Sequence, residues 1–173
     1  MRPIAIFALI LAAHTTPTLF AGSKKSPEVT IRLHGEGSSV EGPSFSAEVR
    51  LSNPDKKIFM RKVPAVNERD ITAFYPFPGN DGLAGAYFRL DAHGTNKLQQ
   101  FALEEKGRLA IVLVNGRIAS AMSIDGARSD GLLYVPGGIL PVEIALLQKK
   151  FPVIGSESAF GKKPRPAKTE PAP

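Results

Sequence analysis

Gly107-Arg-Leu-Ala-Ile-Val-Leu-Val-Asn-Gly-Arg-Ile-Ala-Ser-Ala-Met-Ser-Ile124 carries the clearest structural signal in this chain. Two apolar runs flank Asn115-Gly116, the dipeptide that best tolerates the two positive φ angles of a type I′ turn. A two-residue loop predicts a register in which Val114 faces Arg117, Leu113 faces Ile118, Ile111 faces Ser120 and Leu109 faces Met122. One face of the hairpin then carries Leu109, Ile111, Leu113, Ile118 and Met122 and is expected to meet a core. The other carries Ala110, Val112, Val114, Ala119 and Ala121, small enough for another surface to pack closely.

Upstream, Val29-Thr-Ile-Arg-Leu33 alternates as a strand with Val29, Ile31 and Leu33 inward. Residues 45–51 alternate again (Phe45, Ala47, Val49, Leu51) and predict a second strand paired with the first. Residues 35–43 are a glycine-rich loop; without a Lys-Ser/Thr ending and a following helix they are read as a connection, not a phosphate cradle. Asn53-Pro54-Asp55 is read as a turn, residues 58–62 as a short strand and residues 63–66 as an extended connection. A further strand is expected from Asp70 to Tyr75, ended by Pro76, Pro78 and a turn over residues 79–82, and residues 84–90 return antiparallel to it. Asp91 stands as the N-cap of a helix reaching about Lys106, with Leu98, Phe101, Ala102 and Glu105 on one side and Gly107 as its left-handed stop. After the hairpin, Leu132-Leu-Tyr-Val135 is a strand broken by Pro136-Gly137-Gly138. Pro141 opens a last helix whose Ile144, Leu147 and Phe151 face the sheet.

The two ends differ in character. Arg2, the apolar run over residues 4–13 and the small residues Ala21-Gly22-Ser23 read as a cleavable secretory signal over residues 1–21, with an uncleaved N-terminal anchor as the alternative. No later run is long enough to span a membrane. From residue 155 the composition shifts to Lys, Pro, Ala and Glu, a basic tail that is not expected to fold. The remaining blocks are residues 22–57, a linker with a β extension, and residues 58–154, one α+β domain.

Composition narrows the function. The chain has 173 residues, no cysteine, 43% hydrophobic residues and a mean hydropathy of -0.04, all ordinary for a globular chain. Lack of cysteine excludes disulfides, thiol catalysis and Cys-based zinc sites. The formal charge of +6 and pI near 9.7 come with no basic-aromatic motif, so no nucleic-acid partner is read from them. Asp91 and His93 offer two metal ligands without a third at suitable spacing. There is no nucleophile elbow and no Ser placed with a His and an acid. Glu104, Glu105 and Glu143 read as solvated helix-face carboxylates. No catalytic, metal or cofactor residue is assigned. The candidate partner surface is Tyr75, Phe77, Val112, Val114, Ala119 and Ala121, with Tyr75-Pro-Phe-Pro78 as an aromatic ledge. Asn115, Gly116, Gly137 and Gly138 are assigned as structural turn residues.

The order of elements, with Asp70-Ile71, Leu90, Gly94, Phe101, residues 107–113, Gly116, Ser120-Ala121, Ile124, Gly137-Gly138, Glu143 and Leu147, is similar to one family. It resembles the head of the first periplasmic domain of SecD/SecDF, over roughly residues 63–151. The resemblance implies a ferredoxin-like α+β module: an antiparallel sheet with two helices on one face, preceded here by a short N-terminal β extension. It departs from the family at Asn115 (Asp in the family), Met122 (Pro) and Leu140 (a Ser or Thr cap). The family's transmembrane helices, with their proton-handling carboxylates, have no counterpart here, so proton coupling does not carry over.

The expectation is an exported, periplasmic or secreted, non-enzymatic module that binds an extended polypeptide or an envelope protein, through a sheet edge or face. The alternatives are a structural subunit of an envelope assembly, joined through the small hairpin face, and a small extracytoplasmic hydrolase.

Overall fold

Strands and helices follow one another as β1 (Ile31–Gly35), β2 (Ser46–Ser52), β3 (Asp55–Arg61), β4 (Val66–Asn67), β5 (Ile71–Pro78), β6 (Ala84–Leu90), α1 (Ala92–Glu104), β7 (Leu109–Val114), β8 (Arg117–Ser123), β9 (Leu132–Ile139) and α2 (Pro141–Lys150). The computed structural model describes residues 29–52, 54–79, 82–126 and 129–156. The expected signal segment and nearly all of the expected tail lie outside the described residues. All three sheets are antiparallel: β4-β1-β7-β8, β5-β6-β9 and the hairpin β2-β3. Antiparallel sheets with two helices make this an α+β fold.

The turn at 115–116 forms as its residues require, with Asn115 at φ 51 and Gly116 at φ 78. Val114 faces Arg117 and Leu113 faces Ile118, and then the register slips so that Val112 faces Ser120, Ile111 faces Ala121 and Ala110 faces Met122. Ala119 is the extra residue of a β-bulge, which corrects the uninterrupted register expected from the loop length. A bulge exchanges the faces beyond it. Met122 therefore joins Ala110, Val112 and Val114 in the larger core, while Ala121 turns with Ile111, Leu113 and Ile118 toward β2 and β3.

Both faces of the hairpin are covered. Its small face packs into the cluster formed by Ile31 and Leu33 of β1, Phe74 and Phe88 of β5 and β6, and Leu98, Phe101 and Leu147 of the two helices. Its larger face meets Leu51, Ile58 and Met60 of the β2-β3 hairpin. Each fully buried Val or Ile contributes roughly 1.5–3 kcal/mol relative to exposure, so both faces stabilise the fold.

Several expectations change. β2 pairs with β3 through a two-residue loop, not with β1, because the local closure is the shorter one. Phe45 is 66% exposed, not inward. β1 lies inside the four-stranded sheet between β4 and β7, and β3 crosses residue 57. The N-terminal part is thus built into the fold, and a boundary at 57/58 falls within a strand. β5 continues through Pro76 and Pro78, and β9 through Pro136-Gly137-Gly138, where strand ends were expected. Both are outermost strands, where a missing N–H is tolerated. The β6–β9 register shifts between Ala84 and Ala86 to absorb the irregular segment.

The helices begin as their sequences indicate. Gly94 N–H donates to Asp91 Oδ1 at 2.7 Å, and Gly107 at φ 80 follows the end of α1. Leu140 offers no acceptor at the start of α2, but its own N–H donates to Glu143 Oε2 at 2.8 Å, and Pro141 occupies the first position.

Candidate functional site

Alternation along β5 buries Phe74 and turns Tyr75 and Phe77 to the side of the sheet away from the larger core. Strand register then places Tyr75, Tyr87 and Tyr134 opposite one another across β5, β6 and β9. Phe77 faces Gly85, and a β-carbon on Gly85 would lie 2.5 Å from the Phe77 ring. The missing side chain lets that ring lie across the strand toward β9. Its centroid is 5.7 Å from Tyr134, nearly parallel at 7°, and 5.2 Å from Tyr87. Tyr87 and Tyr134 are themselves 5.2 Å apart. Phe77, Tyr87 and Tyr134 are half-buried by one another, while Tyr75 is 51% exposed. These are all three tyrosines of a chain that has no tryptophan.

The free edge of this sheet is closed to strand addition. Phe74 N–H donates to the Pro152 carbonyl at 3.0 Å, and Ile154 N–H donates to the Phe74 carbonyl at 2.9 Å. Backbone polar groups on one side of a strand recur at every second residue, so the next two outward positions are Pro76 and Pro78, neither of which has an N–H. An extended ligand cannot continue a ladder there, which turns recognition from the β5 edge to the aromatic face.

Beside this face, β8 and β9 run past each other as the margins of the two larger sheets. A cleft of about 450 Å³ lies at this seam, lined by Leu51, Leu83, Ile118, Ala121, Pro136 and Gly138, among others. Arg117 crosses one end, donating to the Gly138 carbonyl at 2.8 Å and to Glu143 Oε2 at 2.7 Å.

The other sequence candidates are placed as follows. Val112 and Val114 are fully buried, Ala119 packs on the larger core, and Ala121 packs on the β2-β3 cluster. Val112 and Val114 are thus held inside the chain, whereas Ala119 and Ala121 are only partly buried and line the cleft at the β8–β9 seam. Tyr75 and Phe77 lie together on the aromatic face, joined there by Tyr87 and Tyr134. Tyr134 was missed because its place depends on β9 pairing with β6. Asn115 and Gly116 make the turn, and Gly137 and Gly138 lie within β9.

Glu105 and Glu143, expected in solvent, are 3% and 4% exposed. Glu105 pairs with Arg61 and, at 3.1 Å, with Arg108, and Glu143 pairs with Arg117 and the start of α2. Buried carboxylates so matched hold elements together. Asp91 caps α1 and His93 is exposed. Among the described residues no three His, Cys, Asp or Glu side chains gather as metal ligands. His34 is 4% exposed, with Nδ1 2.8 Å from the Arg61 carbonyl. Burial pushes its pKa below the ordinary value, against the opposing effect of that hydrogen bond, and the Arg32 charge lowers it further.

No family model and no curated protein matches this sequence. Two solved structures similar to the chain are both of SecDF, the family that the sequence resembles. One is SecDF in a super-membrane-facing form, at 15% identity and a TM-score of 0.49, covering 72% of this chain. The other is the membrane component SecDF that enhances protein export, at 13% identity and a TM-score of 0.48, also covering 72%. The matches span 19% and 64% of those two proteins. No helix among the described residues is long and apolar enough to cross a membrane.

Proposed function

We propose that this chain is an exported, non-catalytic module that binds an extended polypeptide, or an extended segment of an envelope protein, across the aromatic face of β5, β6 and β9. The observation that carries this reading is the convergence of Tyr75, Phe77, Tyr87 and Tyr134 on one accessible sheet surface. Tyrosine and phenylalanine present large apolar area with only two side-chain torsions to order, which is why binding surfaces favour them. A flat row of rings without convergent acids, bases or nucleophiles suits contact, not bond making. Such a surface selects for extended, aromatic- or proline-containing chains with little dependence on precise sequence. Export is read from the leader, and a polypeptide partner agrees with what the SecD resemblance implies.

Titration of an unfolded polypeptide into the intact chain, followed by tyrosine fluorescence, tests the reading. Because ordering a flexible ligand offsets much of the contact energy, the Kd should be on the order of 1–100 µM. Replacing Tyr75 and Tyr134 together by Ala should weaken binding by about tenfold or more. No binding at millimolar polypeptide, or equal affinity for the double variant followed by calorimetry, would overturn it.

A further inference from the structure

The described chain ends beside the aromatic face. After α2 it runs along the outer edge of β5, tied to Phe74 through Pro152 and Ile154. Gly155, at φ 95, then helps to close a turn in which Ser156 N–H donates to the Val153 carbonyl at 2.9 Å. The last described residues therefore lie at the level of Phe74, one position from Tyr75, the most exposed ring of the face. Residues 157–173 follow: Glu-Ser-Ala-Phe-Gly-Lys-Lys-Pro-Arg-Pro-Ala-Lys-Thr-Glu-Pro-Ala-Pro.

The chemistry of this segment complements the face. Pro164, Pro166, Pro171 and Pro173 bias their backbone toward the polyproline conformation, which aromatic-lined surfaces take up at low entropic cost. Lys162, Lys163, Arg165 and Lys168 carry the cations that ring faces attract, and Phe160 supplies a further ring. Reach is sufficient. At about 3.1 Å per extended residue, Phe160 comes within roughly 12 Å of the last described residue and Pro166 within roughly 31 Å. Three strands place the far side of the face only about 10 Å from β5.

We infer that residues 157–173 dock in cis on the Tyr75-Phe77-Tyr87-Tyr134 face and compete there with an incoming polypeptide. The inference rests on the reading of that face as a polypeptide site. A tethered segment acts at an effective concentration in the millimolar range, so even a weak intrinsic contact occupies the face.

Since Tyr75, Tyr87 and Tyr134 are the only tyrosines and tryptophan is absent, intrinsic emission reports on this face alone. The test compares acrylamide quenching in the intact chain and in a variant carrying Phe160→Ser, Pro164→Ser and Pro166→Ser. The variant should show higher quenching and bind added unfolded polypeptide roughly tenfold more tightly, as millimolar local concentration against an intrinsic Kd near 0.1 mM implies. A synthetic peptide of residues 157–173, added to the variant, should restore the lower quenching.

Equal quenching in the two chains would overturn the inference, as would equal affinity for added polypeptide; in the second case the polypeptide reading would survive. Altered quenching, with added polypeptide binding neither chain, would support docking of the segment and sink the polypeptide reading instead. Quenching that changes on dilution of the intact chain would show docking between copies and overturn docking in cis.

Discussion

His34 shows how one buried side chain can make stability depend on pH. The Arg61 carbonyl can only accept, so Nδ1 carries the ring hydrogen, and Nε2 is left buried without a hydrogen-bond partner. Burial, the first cause, disfavours the charged ring, and the Arg32 charge acts in the same direction, so the folded pKa lies below the ordinary 6.5. The unfolded chain takes up its proton near 6.5, whereas the folded chain does so only at lower pH. Stability from this group is therefore complete above about pH 6.5 and falls as the pH drops from there toward the folded pKa. Urea midpoints measured from pH 7.5 down to pH 5 should decline, and His34→Gln should flatten that decline. An identical slope for the two proteins would show that His34 titrates alike in both states.

Gly116 and Ala119 divide the hairpin into a part that is local and a part that is not. At Gly116 a β-carbon would meet nothing within 4 Å, so a substitution there tests the backbone angle alone. With φ at 78, Gly116→Val should cost about 1–3 kcal/mol. Gly116→Asn should cost less than about 1 kcal/mol, because Asn tolerates the left-handed region. Chemical denaturation of both variants checks this, and equal midpoints would be incompatible with a type I′ turn. The bulge at Ala119 had no such local mark. Ser120, Ala121 and Met122 satisfy either register as sequence, and the choice follows from which layers lie on the two sides of β8. Proline misled in the same way. Pro76, Pro78 and Pro136 read as strand ends, yet each is accommodated in an outermost strand, a position that strand order alone reveals.

Gly138 marks where the two larger sheets touch. A β-carbon there would lie 1.8 Å from the Ala119 carbonyl oxygen and 2.6 Å from its carbon, backbone atoms with no rotamer by which to yield. Gly138 and Gly116 have nearly the same φ, 82 and 78, so replacing each by Ala carries a similar conformational penalty. The difference between the two variants isolates the contact between sheets. Gly138→Ala should lose roughly 1–3 kcal/mol more than Gly116→Ala, the usual range for overpacking a closed site. Matching stabilities would mean that β8 and β9 do not meet in solution. Arg117 reinforces the junction, reaching from β8 to the Gly138 carbonyl of β9 and to Glu143 of α2. Arg61 likewise ties β3 to α1 through Glu105.

Local rules were enough for the Asn115-Gly116 turn, the Asp91 cap, the Gly107 stop and the inward positions of Val29, Ile31 and Leu33, because each depends on residues within a few positions. They were enough also for the α+β class and for placing Tyr75 and Phe77 on an aromatic ledge. They were not enough where a residue's environment comes from a distant element. Val112 and Val114 have the composition of a docking face, but both are buried where the hairpin packs into the larger core. Glu105 and Glu143 read as solvated until Arg61 and Arg117 arrive from other parts of the chain. Tyr134 joins the ledge through the pairing of β9 with β6. Short-range sterics and hydrogen bonding write themselves into neighbouring residues, whereas burial, ion pairing and the composition of a surface are properties of which elements meet.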